Sequence, residues 1–229
     1  MAKAASMPFD ASCRVLILHG KEAFLRSEYV RILRGMLEEA RGEVQTLRFD
    51  ATAQPADILD ELRSPGLMPV HKLAIVDDAD QVLKEGTRPI FERYAEHPSD
   101  LGTLVLRSET WRAGKLDKLV AKVGSVVKCE PLPPDKAAGW AASRCERRHG
   151  VKIEPRAARL LVDRLGAGLG RVDSEMAKLA AQIGPGATIT VDLVEQQTGV
   201  TRQEEEFWGI QDRLLSGDAA EALAFLQIG

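Results

Sequence analysis

Four consecutive apolar residues, Leu73-Ala74-Ile75-Val76, constrain this chain more than any other stretch. A short continuous apolar run between turn signals reads as a buried strand, here from about Lys72 to Val76. Its flanks are equally informative. Ser64-Pro65-Gly66 should end a helix near Arg63. Asp77-Asp78-Ala79-Asp80 follows the strand, placing carboxylates where an open α/β sheet meets its ligand. Between helix and strand lie Leu67 and Met68. Pro65 and Pro69 fix their own φ and bias Ser64 and Met68 toward extended backbone. A stiffened connection with two large apolar side chains is a candidate docking wedge. Pattern alone favours the alternative, in which both fold back into the core.

The rest of the chain fits around that strand. Arg14 to Leu18 reads as a first strand. Phe24, Leu25, Tyr29, Ile32, Leu33, Met36 and Leu37 form one face of a long amphipathic helix that Gly42 closes. Val44 to Phe49 is a second strand, and Pro55 opens a short helix burying Ile58, Leu59 and Leu62. A helix is expected from Arg88 to Ala95 and a fourth strand from Thr103 to Arg107. A further helix should run from Lys115 to Val123 and a fifth strand from Ser125 to Cys129. Strands alternating with helices imply a mostly parallel sheet covered on both faces.

Pro131-Leu132-Pro133-Pro134 ends that alternation, and the remainder reads as helical. One helix is expected from Asp135 to Gly150, a second from Pro155, and a third along Leu169, Val172, Met176, Leu179 and Ile183. Thr190 can N-cap a short fourth helix. The helical pattern restarts near Arg202. The domain expectation is therefore 1–134, 135–201 and 202–229. Two helices bury their apolar faces poorly alone, so the third unit is expected to be incomplete.

Charge and chemistry exclude several functions. A net charge of −3 argues against a protein whose main task is gripping nucleic acid. Cys13, Cys129 and Cys145 are scattered, and His19, His71, His97 and His149 lie far apart, so neither a disulfide framework nor a metal site is expected. No cofactor and no catalytic residues are expected. The first dozen residues lack an apolar run, and no segment has membrane-spanning length, so no signal peptide and no membrane partner are expected. A cytoplasmic location is the default.

Five α/β strands followed by a helical lid is the plan of AAA+ nucleotide-binding modules. Such a module needs glycines, a Lys and a Ser/Thr after the first strand to cradle phosphate and Mg²⁺. Here that slot reads His19-Gly20-Lys21-Glu22-Ala23-Phe24-Leu25-Arg26-Ser27. It has one glycine and no Gly-Lys-Ser/Thr. Without it, Asp77 and Asp78 are expected to be solvated or to cap the next segment rather than to bind magnesium. Ser143-Arg144-Cys145 matches an arginine-finger motif of clamp-loader ATPases, but it falls in a lid helix and reads as chance. Arg171 lies where AAA+ lids sense nucleotide and reads as an exposed helix residue. Lys115, Lys118 and Lys122 read as a solvated helix face.

In this order the features resemble a family, the delta subunits of bacterial DNA polymerase III clamp loaders. The matching stretches are Leu18-His19-Gly20-Lys21-Glu22-Ala23-Phe24-Leu25, Ser64-Pro65-Gly66-Leu67-Met68, and Ala74-Ile75-Val76 with Ala79-Asp80. Further matches are Lys115-Leu116-Asp117-Lys118-Leu119, Cys129-Glu130-Pro131-Leu132, and Leu169-Gly170-Arg171 with Glu175 and Lys178-Leu179. The resemblance implies a RecA/AAA+-like five-stranded α/β domain without ATPase activity, a three-helix lid, and the start of a helical collar. It implies a non-catalytic subunit of the polymerase III holoenzyme that binds and opens the sliding clamp. The implied partners are the clamp, the tau/gamma and delta-prime loader subunits, and primed DNA reached through the assembled loader at nucleoid replication forks. The family's apolar clamp-binding pair falls on Leu67 and Met68, flanked by Ser64, Pro65, Gly66 and Pro69. Phe is frequent at the second position; Met also fills an irregular apolar pocket. The competing readings are an active AAA+ ATPase and a helical adaptor unrelated to replication.

Overall fold

A computed structural model describes residues 7–66 and 70–197. Leu67, Met68 and Pro69 lie outside the described residues, as does the expected collar segment from 202 onward. The chain divides into two compact units, Met1–Pro131 and Leu132–Gly229.

The first unit follows the expected order of strands and helices with one addition, a single-turn helix directly after the third strand. Its elements are β1 (Val15–His19), α1 (Ala23–Arg41), β2 (Val44–Phe49), α2 (Pro55–Arg63), β3 (His71–Val76), α3 (Ala79–Val82), α4 (Arg88–Glu96), β4 (Gly102–Ser108), α5 (Lys115–Val123) and β5 (Gly124–Lys128). The strands form one sheet in the order β2-β3-β4-β1-β5, with every neighbouring pair parallel. This is a RecA/AAA+-like α/β fold. Successive residues of a strand face opposite sides. Val15, Ile17, Ala74, Val76, Leu104 and Leu106 pack with Ile58 and Leu62 of α2, Phe91 and Tyr94 of α4, and Leu116 and Val120 of α5. The alternate residues Leu16, Leu18, Leu73, Ile75 and Val105 are buried as well. Helix α1, which contacts β2 and β3, buries Leu25, Val30, Leu33 and Leu37. Each such side chain removed from water contributes about 1.5–3 kcal/mol, and the buried polar residues of the central strands, His71, Lys72, Thr103 and Ser108, lie at or next to strand ends.

The second unit contains α6 (Pro134–Arg144), a π-helical turn (Cys145–His149), β6 (Lys152–Ile153), α7 (Pro155–Leu165), α8 (Leu169–Ile183), β7 (Thr188–Ile189) and α9 (Val191–Gln197). The helix expected as continuous from Asp135 to Gly150 is thus α-helical only to Arg144. It then widens to a π turn and stops at Gly150, whose φ of +67° suits glycine. Ala137 and Ala141 of α6 and Ala157 and Ala158 of α7 are fully or almost fully buried. Their small size lets these two helices pack closely. β6 and β7 form a short parallel pair that hydropathy does not reveal. Thr190 caps α9 as expected, its Oγ1 accepting from the Leu193 N–H at 3.3 Å.

Candidate functional site

The slot after β1 is closed by the chain itself. Gly20 has φ +119°, and a Cβ there would lie 2.3 Å from the Cys129 carbonyl oxygen. Its N–H donates to the carbonyls of Ser108 and Glu109 at 3.2 and 3.1 Å. The Arg26 guanidinium donates to the Gly20 carbonyl. Glu22 N–H donates to Cys129 O at 2.9 Å, and the Glu22 carboxylate accepts from Phe24 N–H at 3.1 Å, capping α1. A helix N-terminus binds phosphate through its free N–H groups and positive dipole end. Here Glu22 supplies the anion from within, and its charge opposes a phosphate in the same place.

Asp77 departs from the expectation that it is solvated or caps the next segment. It accepts from Arg107 of β4, whose Nε lies 2.6 Å from Asp77 Oδ1. Arg48 of β2 approaches its other oxygen at 3.9 Å. β3 and β4 are sheet neighbours, so the fold sets a cation beside the carboxylate. A fixed guanidinium repels a divalent metal from that position. Asp78 is exposed and takes a left-handed conformation, φ 48°, before α3, and makes no side-chain cap. Among the described residues no group of three or more His, Cys, Asp or Glu is placed to hold a metal ion. Burial pushes the thiols of Cys13 and Cys145 up to about 11 and that of Cys129 to about 12, so none is a thiolate nucleophile near neutral pH.

The segment before β3 leaves α2 from a firmly held end. Ser64, Pro65 and Gly66 are exposed. The three residues before them are each tied down. Lys72 Nζ donates to the Glu61 carbonyl at 2.8 Å and to Glu61 Oε2 at 3.1 Å. Leu62 is buried over Gly102, where an added Cβ would meet its Cδ2 at 2.6 Å. The Arg63 guanidinium lies over the Tyr94 ring, 5.5 Å from its centroid. On the return side, Lys72 N–H donates to Leu101 O at 3.0 Å. Sequence reasoning missed Lys72, Glu61 and Gly102. The available signal was a lysine at the start of an otherwise apolar strand.

Of the remaining candidates, Arg144 is engaged within the second unit. It makes a bidentate pair with Asp173 of α8, at 2.8 and 3.0 Å, and Asp173 also lies 2.9 Å from His149 Nε2. Burial alone would raise the Asp173 carboxyl, but the Arg144 and His149 hydrogen bonds hold it below its usual range. Arg171 is exposed in the first turn of α8. Lys115 pairs with Glu92 and Glu96 of α4. Beyond the ends of β3 and β4 lies a cleft of about 770 Å³ lined by Asp80, Arg88, Glu92 and Trp111 among others. Arg88 is committed there to the Arg112 carbonyl at 2.7 Å and to the face of Trp111. No helix among the described residues is long and apolar enough to cross a membrane.

No protein-family model matches the sequence, and no curated protein sequence matches it. Solved structures do. The Bacillus subtilis DNA clamp loader delta protein (YqeN) superposes with a TM-score of 0.67 at 21% identity over 93% of this chain. This chain spans 66% of the length of that protein. The Thermotoga maritima RuvB Holliday junction branch migration motor matches over 82% of this chain and 61% of its own, with a TM-score of 0.48 and 14% identity. The likeness to the delta protein is one of fold, and it extends through both units of the RecA/AAA+-like architecture rather than the sheet alone.

Proposed function

We propose that this chain is a delta-type clamp-loader subunit that binds the ring-shaped sliding clamp, opens it for loading onto primed DNA, and hydrolyses no ATP itself. The observation that carries this reading is the fold likeness to a clamp loader delta protein over 93% of the chain. The closed slot after β1 supports it, because Glu22 and Arg26 fill the place where an ATPase of this architecture holds phosphate. The Arg107–Asp77 pair supports it from the metal side. In this reading residues 1–134 are the ATPase-like domain, 135–201 the lid and 202–229 the beginning of a collar. The protein works in the cytoplasm at replication forks, with tau/gamma and delta-prime subunits as companions and DNA reached through the assembled loader. Leu67 and Met68 dock on the clamp, presented by Ser64, Pro65, Gly66 and Pro69.

The test is Leu67→Ala with Met68→Ala, assayed for clamp binding and for thermal unfolding. Burying each side chain at an interface contributes roughly 1.5–3 kcal/mol. Losing both should therefore weaken binding about a hundredfold or more, with an unchanged melt. Undiminished clamp binding overturns the assignment. So does a large loss of fold stability, since core residues of this size cost about 2–5 kcal/mol each on truncation.

A further inference from the structure

We infer that the cleft beyond the ends of β3 and β4 is a receptor for a carboxylate borne on a short, partly apolar peptide segment, with Arg88 as the group that binds it. The cleft measures about 770 Å³ and lies within the first unit, between the residues leading into α4 and the loop from β4 to α5. The carboxyl ends of parallel strands are where open α/β sheets take their ligands. Arg88 is held there in one orientation. Its Nη2 donates to the Arg112 carbonyl at 2.7 Å and to Asp117 Oδ2 at 3.3 Å. Glu92 Oε1 lies 4.0 Å from its Nε. The guanidinium covers the Trp111 ring, 5.2 Å from the centroid, and Trp111 Nε1–H donates to the same Asp117 carboxylate at 2.8 Å. Asp117 also accepts from the Gly114 N–H at 2.8 Å, which fixes it at the start of α5. These contacts use Nε, Nη2 and one face of the guanidinium. Nη1 makes no hydrogen bond among the described residues and keeps access to solvent, so it opens on the cleft that the side chain lines. A planar donor group already held in place loses little freedom when it binds an oxyanion.

The uncommitted charge in the cleft is mainly positive. Lys84 and Arg112 line it, are exposed, and form no ion pair among the described residues. Of the lining carboxylates, Asp80 accepts from Thr110 Oγ1 at 2.8 Å, and Glu92 pairs with Lys115 at 3.6 Å. Glu85 is exposed and unpaired. These three carboxylates decide which anion fits. A phosphate group carries close to two negative charges and meets about twice the repulsion that a carboxylate meets. Leu83, Pro89 and Trp111 add apolar wall, which shelters methylene and methyl groups beside the bound carboxylate. The volume is that of a pocket for a ligand larger than one side chain. A few residues of acidic, partly apolar chain match it in size, charge and polarity.

The test uses the whole chain and follows the indole N–H resonance of Trp111 by NMR at constant ionic strength. The probes are a blocked tripeptide of leucine, glutamate and leucine, its glutamine counterpart, glutarate, and inorganic phosphate. The glutamate peptide should shift the resonance saturably and bind about tenfold more tightly than the glutamine peptide or phosphate. Arg88→Lys, which keeps the charge and loses the planar donor edge, should weaken the peptide severalfold. Lys84→Ala with Arg112→Ala should weaken it about threefold through lost surface attraction, with an unchanged melt. A shift that does not saturate overturns the inference, and so does equal binding of the glutamine peptide. Tighter binding of phosphate overturns the choice of carboxylate. Glutarate binding as tightly as the peptide overturns the peptide as occupant. If Arg88→Lys lowers the melt, the double variant at the exposed cations decides, and unchanged peptide affinity in that variant overturns the inference.

Discussion

His71 enters β3 buried, with Nε2 3.0 Å from the Thr103 hydroxyl, which donates in turn to the Cys13 carbonyl at 3.0 Å. That hydroxyl proton is committed, so Nε2 carries the hydrogen of a neutral ring. Burial, with the positive charges of Arg41 and Arg14, lowers the His71 pKa to about 4. The unfolded chain binds this proton near pH 6.5 and the folded chain does not. Stability is therefore fully present above pH 6.5 and is lost as pH falls toward 4. Between pH 7 and 5 the loss from this residue should be on the order of 2 kcal/mol. Urea unfolding at the two pH values measures it, and His71→Gln should remove most of the difference. Sequence spacing puts the four histidines far apart along the chain. It does not show which one is buried, because that depends on the β3–β4 register that sets His71 near Thr103.

At the scale of elements, the strands and long helices were legible because their apolar periods are strong. β2 and α5 begin and end at the expected residues. The π turn at Cys145–His149 was not legible, because hydropathy does not distinguish it from a continuing helix. Its consequence is tertiary. It places Cys145 Sγ 3.2 Å from Met176 Sδ and brings His149 to the Asp173 carboxylate that already holds Arg144. Asp173 joins α6, the π turn and α8. Asp173→Ala removes the carboxylate that Arg144 and His149 both contact in a partly buried place. It should destabilise the second unit by about 2–4 kcal/mol. Chemical denaturation should show this loss, and hydrogen exchange should accelerate in α6 and α8 rather than in the five-stranded sheet.

Across the whole molecule, the closed slot after β1 and the paired Asp77 lead to a direct expectation: calorimetry with Mg-ATP should show no binding. Micromolar affinity would require Glu22 and Arg26 to leave their partners and would revive the ATPase reading. The sequence carried the layered α/β plan, the break at Pro131-Leu132-Pro133-Pro134 and the loss of the phosphate motif. Each of these is written locally, in runs of apolar residues, in prolines, or in a missing Gly-Lys-Ser/Thr. The pairings that give the candidate site its character join residues far apart in the chain. Asp77 meets Arg107 because β3 lies beside β4, and Lys72 meets Glu61 because α2 packs back across the sheet. A charged residue read alone looks solvated. Whether it is solvated, paired or buried is set by strand order and register, which exist only once distant segments have packed together.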